Sequence, residues 1–85
     1  MPANVTIYTR RGCGYCTRLL ALLDRKGVVY THHDLSNEPA RRQWLTEVTG
    51  SSTVPQMFIG ETAVGGCTDV EALDRAGKLD PMLAG

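Results

Sequence analysis

The chain has 85 residues, and its nine lysines and arginines balance nine aspartates and glutamates, which gives a formal net charge of zero. This length predicts one domain, and the balanced charge argues against a nucleic-acid binder, which typically carries a basic excess. The longest apolar run, Leu19–Leu23, is too short to cross a membrane. Met1–Asn4 has neither the charged nor the apolar part of a secretory leader, so we expect a cytoplasmic protein with no membrane partner.

The first half of the chain begins with a strand–helix–strand pattern. The β-branched and aromatic run Val5–Thr9 predicts a strand. Apolar residues at helical spacing then predict a helix that begins at Cys13 and is closed by Gly27. Val28–His32 predicts a second strand, which should be parallel to the first because a helix connects the two.

A second helix is predicted after this strand. Ser36 or Asn37 is expected to cap it, Pro39 falls in its first turn, and Gly50 ends it. Its buried stripe is expected to consist of Trp44, Leu45 and Val48.

The second half of the chain predicts a hairpin and a further helix. Met57–Ile59 and Thr62–Val64 are joined by two residues, a link that permits only an antiparallel pair. The pattern Thr68-x-x-Glu71 is typical of a capping box, and predicts a helix from there to about residue 77, followed by a last helical turn. The predicted order, β-α-β-α-β-β-α, is that of an α/β fold.

The pair Cys13 and Cys16 lies at the predicted start of the first helix. The free N–H groups and partial positive charge of a helix N-terminus favour a thiolate, which is the nucleophile in disulfide exchange. Arg10 and Arg11 add positive charge nearby. We therefore predict a catalytic redox pair in which an exposed Cys13 attacks and a more buried Cys16 resolves the mixed disulfide.

Two other interpretations of this pair are open. Half of a zinc site also has the spacing C-x-x-C, but structural zinc takes four ligands. Only Cys67, His32 and His33 remain as candidates, and they include no second pair of cysteines at that spacing. The pair could also be two core cysteines at chance spacing. A C-x-x-C pair after a strand and at the start of a helix favours redox chemistry over both, with no metal.

Three elements in order make the chain resemble the glutaredoxins of the dithiol type, which have a thioredoxin-like fold. They are Tyr8–Cys16, ending in C-G-Y-C, then Thr53-Val54-Pro55-Gln56, and then Gly65-Gly66-Cys67-Thr68-Asp69. The resemblance implies a single glutaredoxin domain over residues 1–85, with a central four-stranded mixed sheet flanked by helices. It also implies an enzyme that uses glutathione as co-substrate to reduce protein disulfides and glutathionylated proteins. The oligomeric state is open, with a monomer as the default expectation.

The resemblance further implies where glutathione binds. Pro55 is expected to be cis, which would set the Val54 backbone beside Cys13 to pair with the cysteinyl unit of glutathione. The γ-glutamyl end would meet the backbone at Thr68 and Asp69 and the Asp69 side chain. The expected glutathione-binding residues are Arg10, Tyr15, Arg42, Thr53, Val54, Pro55, Gly66, Cys67, Thr68 and Asp69.

Several of these assignments have simpler alternatives. Arg10 replaces the lysine usual in the family, which keeps the charge but changes the donor geometry. Arg42 is either a ligand for the glycyl carboxylate or a solvated residue of a helix surface. Thr68 could serve only as a helix cap, and Cys67 could be a small packed group whose backbone alone meets glutathione.

Gly14 leaves a second function open. The commonest dithiol glutaredoxins have proline between the cysteines, and some relatives with a small residue there form dimers that bind a [2Fe–2S] cluster. In such a dimer Cys13 and glutathione from each subunit would supply four thiolates. A relative reduced by thioredoxin reductase is a third possibility, against which Arg10, Arg42 and Asp69 argue.

Overall fold

The computed structural model describes residues 4–84. Residues 1–3 and 85 lie outside the described residues. They include both ends of the predicted domain 1–85 and most of the segment Met1–Asn4 for which no leader was predicted. The elements are β1 Val5–Thr9, α1 Gly14–Arg25, β2 Tyr30–Asp34, α2 Pro39–Thr49, β3 Gln56–Ile59, β4 Thr62–Gly65, α3 Cys67–Arg75 and α4 Leu79–Ala84. The predicted order is confirmed, and the last helical turn is the six-residue α4.

The four strands form one mixed sheet in the order β2-β1-β3-β4. β1 and β2 are parallel, with Val5 opposite Tyr30, as the intervening helix predicts. β3 runs antiparallel to both β1 and β4, and the hairpin has an irregular register between Met57 and Phe58. The mixed sheet and its hairpin are therefore as predicted.

Two cores lie on the two faces of the sheet, because successive side chains of a strand point to opposite faces. Ile7 belongs to the larger core, and its neighbour Tyr8 to the smaller one beneath α2. The larger core consists of Val5, Ile7, Leu19, Leu22, Leu23, Met57, Cys67, Val70 and Leu79. The smaller core consists of Tyr8, Leu35, Leu45 and Phe58.

The predicted second strand begins two residues too early. The Val28 N–H donates to the carbonyl of Leu23 at 3.0 Å and so completes the end of α1. Val29 is 90% exposed, and pairing with β1 begins only at Tyr30. The β-branched residues of this segment favour a strand, but they do not reveal that the Val28 N–H is already bonded to the end of α1.

Both predicted helix caps are wrong. α2 begins after Glu38, which makes no side-chain capping bond, while the Ser36 hydroxyl accepts from the Arg11 N–H at 2.9 Å. The N-cap residue of α3 is Gly66, two residues before the predicted cap Thr68, and the Asp69 carboxylate accepts from the Gly66 N–H at 3.0 Å. Ser36 therefore binds the loop between β1 and α1, and Asp69 takes the role predicted for Glu71.

The predicted buried stripe of α2 is correct only at Leu45, which is 3% exposed. Trp44 and Val48 are 41% and 49% exposed. Trp44 nevertheless packs against Tyr8 and Phe58, with ring centroids 5.6 and 6.1 Å away. The helix therefore rests on the sheet by one edge of its apolar surface.

Candidate active site

The sulfur of Cys13 lies at the N-terminus of α1, where Cys13 is the capping residue in an extended conformation. Its Sγ accepts a hydrogen bond from the Cys16 N–H at 3.2 Å, and its carbonyl accepts one from the Thr17 N–H at 3.2 Å. A donor of this kind stabilises negative charge on the sulfur it faces. The sulfur thus takes the place that a serine or aspartate oxygen occupies in other helix caps.

Cys16 lies one helical turn away in a different environment. It is 3% exposed, whereas Cys13 is half-buried, and all three cysteines of the chain are free thiols. Burial, together with its hydrogen bond to Cys13, raises the pKa of the Cys16 thiol to about 12. Cys16 is therefore protonated near neutral pH, and the pair has the predicted difference in exposure.

The peptide bond between Val54 and Pro55 is cis, which confirms the expectation for Pro55. The Val54 carbonyl lies 3.6 Å from the Sγ of Cys13, whose thiol donates to it. The backbone of Val54 therefore lies beside the reactive sulfur, where an extended ligand could pair with it.

Polar side chains hold the loop before Pro55 in place. The hydroxyls of Ser51 and Thr53 lie 2.7 Å apart, and the hydroxyl of Thr49 accepts from the Ser51 N–H at 3.2 Å. The buried Gln56 amide donates to the Thr53 carbonyl at 3.1 Å. Thr49 and Ser51 were not among the predicted site residues, since no motif in the sequence places them here.

A groove of about 530 Å³ runs beside the cysteine pair. It brings together eight of the ten predicted glutathione residues, and it adds Thr49, Ser51, Gln56 and Gly65. The eight are Tyr15, Thr53, Val54, Pro55, Gly66, Cys67, Thr68 and Asp69. Arg10 and Arg42 line an adjoining cavity of about 190 Å³ whose wall also includes Thr53 and Val54. The ten predicted residues therefore line two adjoining cavities.

The far end of the groove is the first turn of α3. The Asp69 cap uses Oδ2, and no hydrogen bond of Oδ1 to another residue of 4–84 is present. Gly65 has φ +120°, and a Cβ there would lie 2.6 Å from Asp69 Oδ2. Only glycine therefore fits beside this cap. A helix N-terminus with a carboxylate beside it suits a ligand group that carries both a carboxylate and an ammonium.

Cys67 lines the same groove but has an unreactive setting. It is 3% exposed, and burial raises the pKa of its thiol. A buried neutral thiol behaves as a small apolar group. Its contribution to the groove is therefore its shape and its backbone.

Within residues 4–84, no group of three or more histidine, cysteine, aspartate or glutamate side chains is arranged to hold a metal ion. The helices described for this part of the chain also include none of sufficient length and hydrophobicity to span a membrane.

Comparison with known proteins identifies the family. Residues 5–64 match the family model "Glutaredoxin". A glutaredoxin of Pseudomonas aeruginosa is 51% identical over 80 residues, which cover 94% of this chain and 95% of that protein. Glutaredoxin 3 of Escherichia coli K12 is 46% identical over 81 residues, which cover 95% of this chain and 98% of that protein.

A solved structure of a buckwheat glutaredoxin–glutathione complex superposes with a TM-score of 0.89 at 38% identity. The superposition covers 95% of this chain and 76% of the buckwheat chain. The mixed sheet, its flanking helices and the cysteine pair at the start of α1 agree with this likeness. The chain therefore belongs to the glutaredoxin family of thiol–disulfide oxidoreductases and has its thioredoxin-like fold.

Proposed function

We propose that the protein is a glutathione-dependent oxidoreductase that reduces glutathionylated proteins and protein disulfides, with Cys13 as the nucleophile and Cys16 as the resolving thiol. The observation that carries the proposal is the position of the Cys13 sulfur. It lies at a helix N-terminus, accepts from the Cys16 N–H at 3.2 Å, and is 3.6 Å from the Val54 carbonyl beside the groove.

In the proposed reaction the Cys13 thiolate attacks the glutathione sulfur of a protein–glutathione mixed disulfide. The bond between Cys13 and glutathione forms, and the protein thiolate leaves and takes up a proton. A second glutathione thiolate then attacks the bound glutathione sulfur, which releases glutathione disulfide and restores the Cys13 thiolate. For a protein disulfide, the Cys13 thiolate attacks one of its sulfurs, and the other sulfur leaves as a thiolate and takes up a proton. The deprotonated Cys16 sulfur then attacks Cys13, and the second protein thiolate leaves. Two glutathione molecules reduce the resulting Cys13–Cys16 disulfide and leave as glutathione disulfide.

The groove and the cavity that adjoins it support glutathione as the co-substrate, because their two ends differ in charge. Glutathione has a glycyl carboxylate at one end, and a carboxylate with an ammonium at the other. Arg10 and Arg42 suit the glycyl end, and the α3 N-terminus with Asp69 suits the γ-glutamyl end. The Val54 backbone lies between them for the cysteinyl unit. The glutathione named in the buckwheat complex supports the same choice.

The wider setting is also a proposal. We propose that residues 1–85 act as a single domain and as a monomer in the cytoplasm, on disulfide-containing or glutathionylated proteins. The cluster-binding dimer is not proposed. Its support is the small residue Gly14, and nothing else in residues 4–84 favours it over disulfide exchange.

The proposal is tested with a small glutathione mixed disulfide in an assay coupled to glutathione reductase. Cys13→Ser should abolish turnover, whereas Cys16→Ser should retain glutathionyl transfer and lose the reduction of protein disulfides. Cys67→Ser is the matched control and should leave both activities in place, because this thiol is buried. Loss of glutathionyl transfer in Cys16→Ser would contradict the assigned roles, and an inactive wild-type protein would contradict the function.

A further inference from the structure

An ion pair on the outer surface joins the two helices that border the groove. Nη2 of Arg18 in α1 lies 2.5 Å from Oε1 and 2.7 Å from Oε2 of Glu71 in α3. The guanidinium of Arg18 holds the pKa of the Glu71 carboxyl below its usual value. The side chain of Glu71 is 24% exposed, so the inner partner of the pair is largely shielded from water.

The same guanidinium also lies over the ring of Tyr15. The Cζ of Arg18 is 5.4 Å from the centroid of that ring, within the range of a cation–π contact. Tyr15 is 55% exposed and stands in the first turn of α1. An exposed ring otherwise moves among its rotamers, so a cation held in place over it restricts that motion.

The opposite wall of the groove belongs to the helix that carries Glu71. Cys67, the buried first residue of α3, lies one helical turn before Glu71. Tyr15 and Cys67 both line the groove. The series Tyr15–Arg18–Glu71 therefore connects one wall of the groove, around its outside, to the helix that forms the other wall.

We propose that Arg18 is a positioning residue, which Glu71 anchors so that its guanidinium holds the Tyr15 ring in place as a wall for the glutathionyl part of the substrate. The inference rests on the proposed function, since it assumes that the groove takes a glutathionyl group. Arg18 acts through Tyr15 and takes no part in the exchange itself.

A purely structural ion pair would have a different signature. Exposed ion pairs between helices contribute little to stability. The loss of such a pair would lower the stability slightly and would leave substrate binding in the groove unchanged. A positioning role instead predicts weaker binding of the substrate at an unchanged chemical step, and this effect must depend on the Tyr15 ring.

The test uses a Cys16→Ser background, so that only glutathionyl transfer is measured, with a glutathionylated peptide as substrate. Arg18→Gln and Glu71→Gln should each raise the KM for the peptide about two- to fivefold at a nearly constant kcat. Arg18→Lys, which keeps a cation, should recover part of the loss. Arg25→Gln, at the exposed end of the same helix, is the matched control and should leave KM unchanged.

The decisive comparison adds Tyr15→Ala. Arg18→Gln should have no further effect on KM in that variant, and an equal effect with or without the ring would overturn the proposal. Ring-proton NMR signals of Tyr15 in the ligand-free protein should shift in Arg18→Gln, and unchanged signals would also overturn it. A wild-type protein inert towards the peptide would refute the proposed function and this substrate role together. If the wild-type protein were inert but the Tyr15 ring signals still shifted in Arg18→Gln, the contact between Arg18 and Tyr15 would stand and the proposed function would be wrong.

Discussion

Cys13 and Cys16 are neighbours whose environments impose an order on their chemistry. Cys13 receives a backbone N–H at a helix N-terminus, whereas burial raises the pKa of the Cys16 thiol to about 12. A protonated thiol is a poor nucleophile. In the proposed reaction Cys16 therefore acts second, after Cys13 carries a mixed disulfide and a base has removed the Cys16 proton.

The raised pKa of Cys16 also predicts how the stability of the reduced protein depends on pH. The folded protein holds this proton more tightly than the unfolded chain does, since its pKa is about 12 against 9.0. The stabilisation is complete below pH 9 and is lost as the pH rises from 9 towards 12. Urea unfolding under reducing conditions should therefore show a steeper decline above pH 9 in the wild type than in Cys16→Ala. Parallel declines would contradict this assignment.

Gly14 occupies a position that a proline would fit. It is the first residue of α1, where the N–H has no partner in the helix, and a Cβ there would meet nothing within 4 Å. Cys13 before it already has φ −101° and ψ 108°, the extended region that a residue preceding proline requires.

Gly14→Pro should therefore raise the free energy of unfolding by about 0.4–1 kcal/mol, because it restricts the unfolded chain without straining the fold. Gly50→Pro provides the contrast. Its φ of +74° is closed to proline, and its N–H donates to the Thr46 carbonyl, so this change should be destabilising. Urea unfolding of both variants measures the difference, and a destabilising Gly14→Pro would be inconsistent with the position assigned to Gly14.

At the level of elements, the sequence predicts most of the fold, because strands, helices and their order follow from patterns along the chain. The predictions fail where a polar atom has a partner, distant or local, other than the predicted one. The Ser36 hydroxyl binds the Arg11 N–H instead of capping α2, and the Asp69 carboxylate displaces the predicted Thr68 box. The cysteine pair and cis Pro55 could be predicted from motifs. The hydroxyls of Thr49 and Ser51 could not, since nothing in the sequence places them beside the groove.

The start of α3 depends on the absence of a side chain at Gly65. Its φ of +120° and the closeness of Asp69 both exclude a Cβ. Gly65→Ala should therefore cost more than about 2 kcal/mol of stability and should also raise the KM for a glutathione substrate, because the displaced carboxylate both caps α3 and lines the groove.

Gly77→Ala is the matched control for this substitution. It also has a positive φ, of +72°, but a Cβ there would meet open space. Its cost should therefore be limited to about 1–2 kcal/mol of backbone strain, with KM unchanged. Urea unfolding measures the loss of stability in both variants. Equal losses would show that the clash of a Cβ at position 65 with Asp69 adds nothing to the cost of the substitution.

At the scale of the whole molecule, the two faces of the sheet are unequally covered. One face packs a core of nine buried residues, and the other packs four beneath α2. α2 also lacks a side-chain cap and leaves Trp44 and Val48 largely in water. Since the stability of a segment follows the apolar surface that it buries, α2 should open more readily than α1.

This difference bears on function because α2 carries Arg42, while α1 carries Cys16 and is capped by Cys13. Native-state hydrogen exchange should show α2 amides such as that of Thr46 opening at a lower free energy than those of Leu22 and Leu23 in α1. If Arg42 meets glutathione, loading Cys13 with glutathione in a Cys16→Ser background should raise the protection of α2 more than that of α1, because ligand binding stabilises the closed form. Arg42→Gln should remove that extra protection. A single opening free energy for both helices would refute the inequality, and unaltered protection in Arg42→Gln would assign Arg42 to the solvated surface.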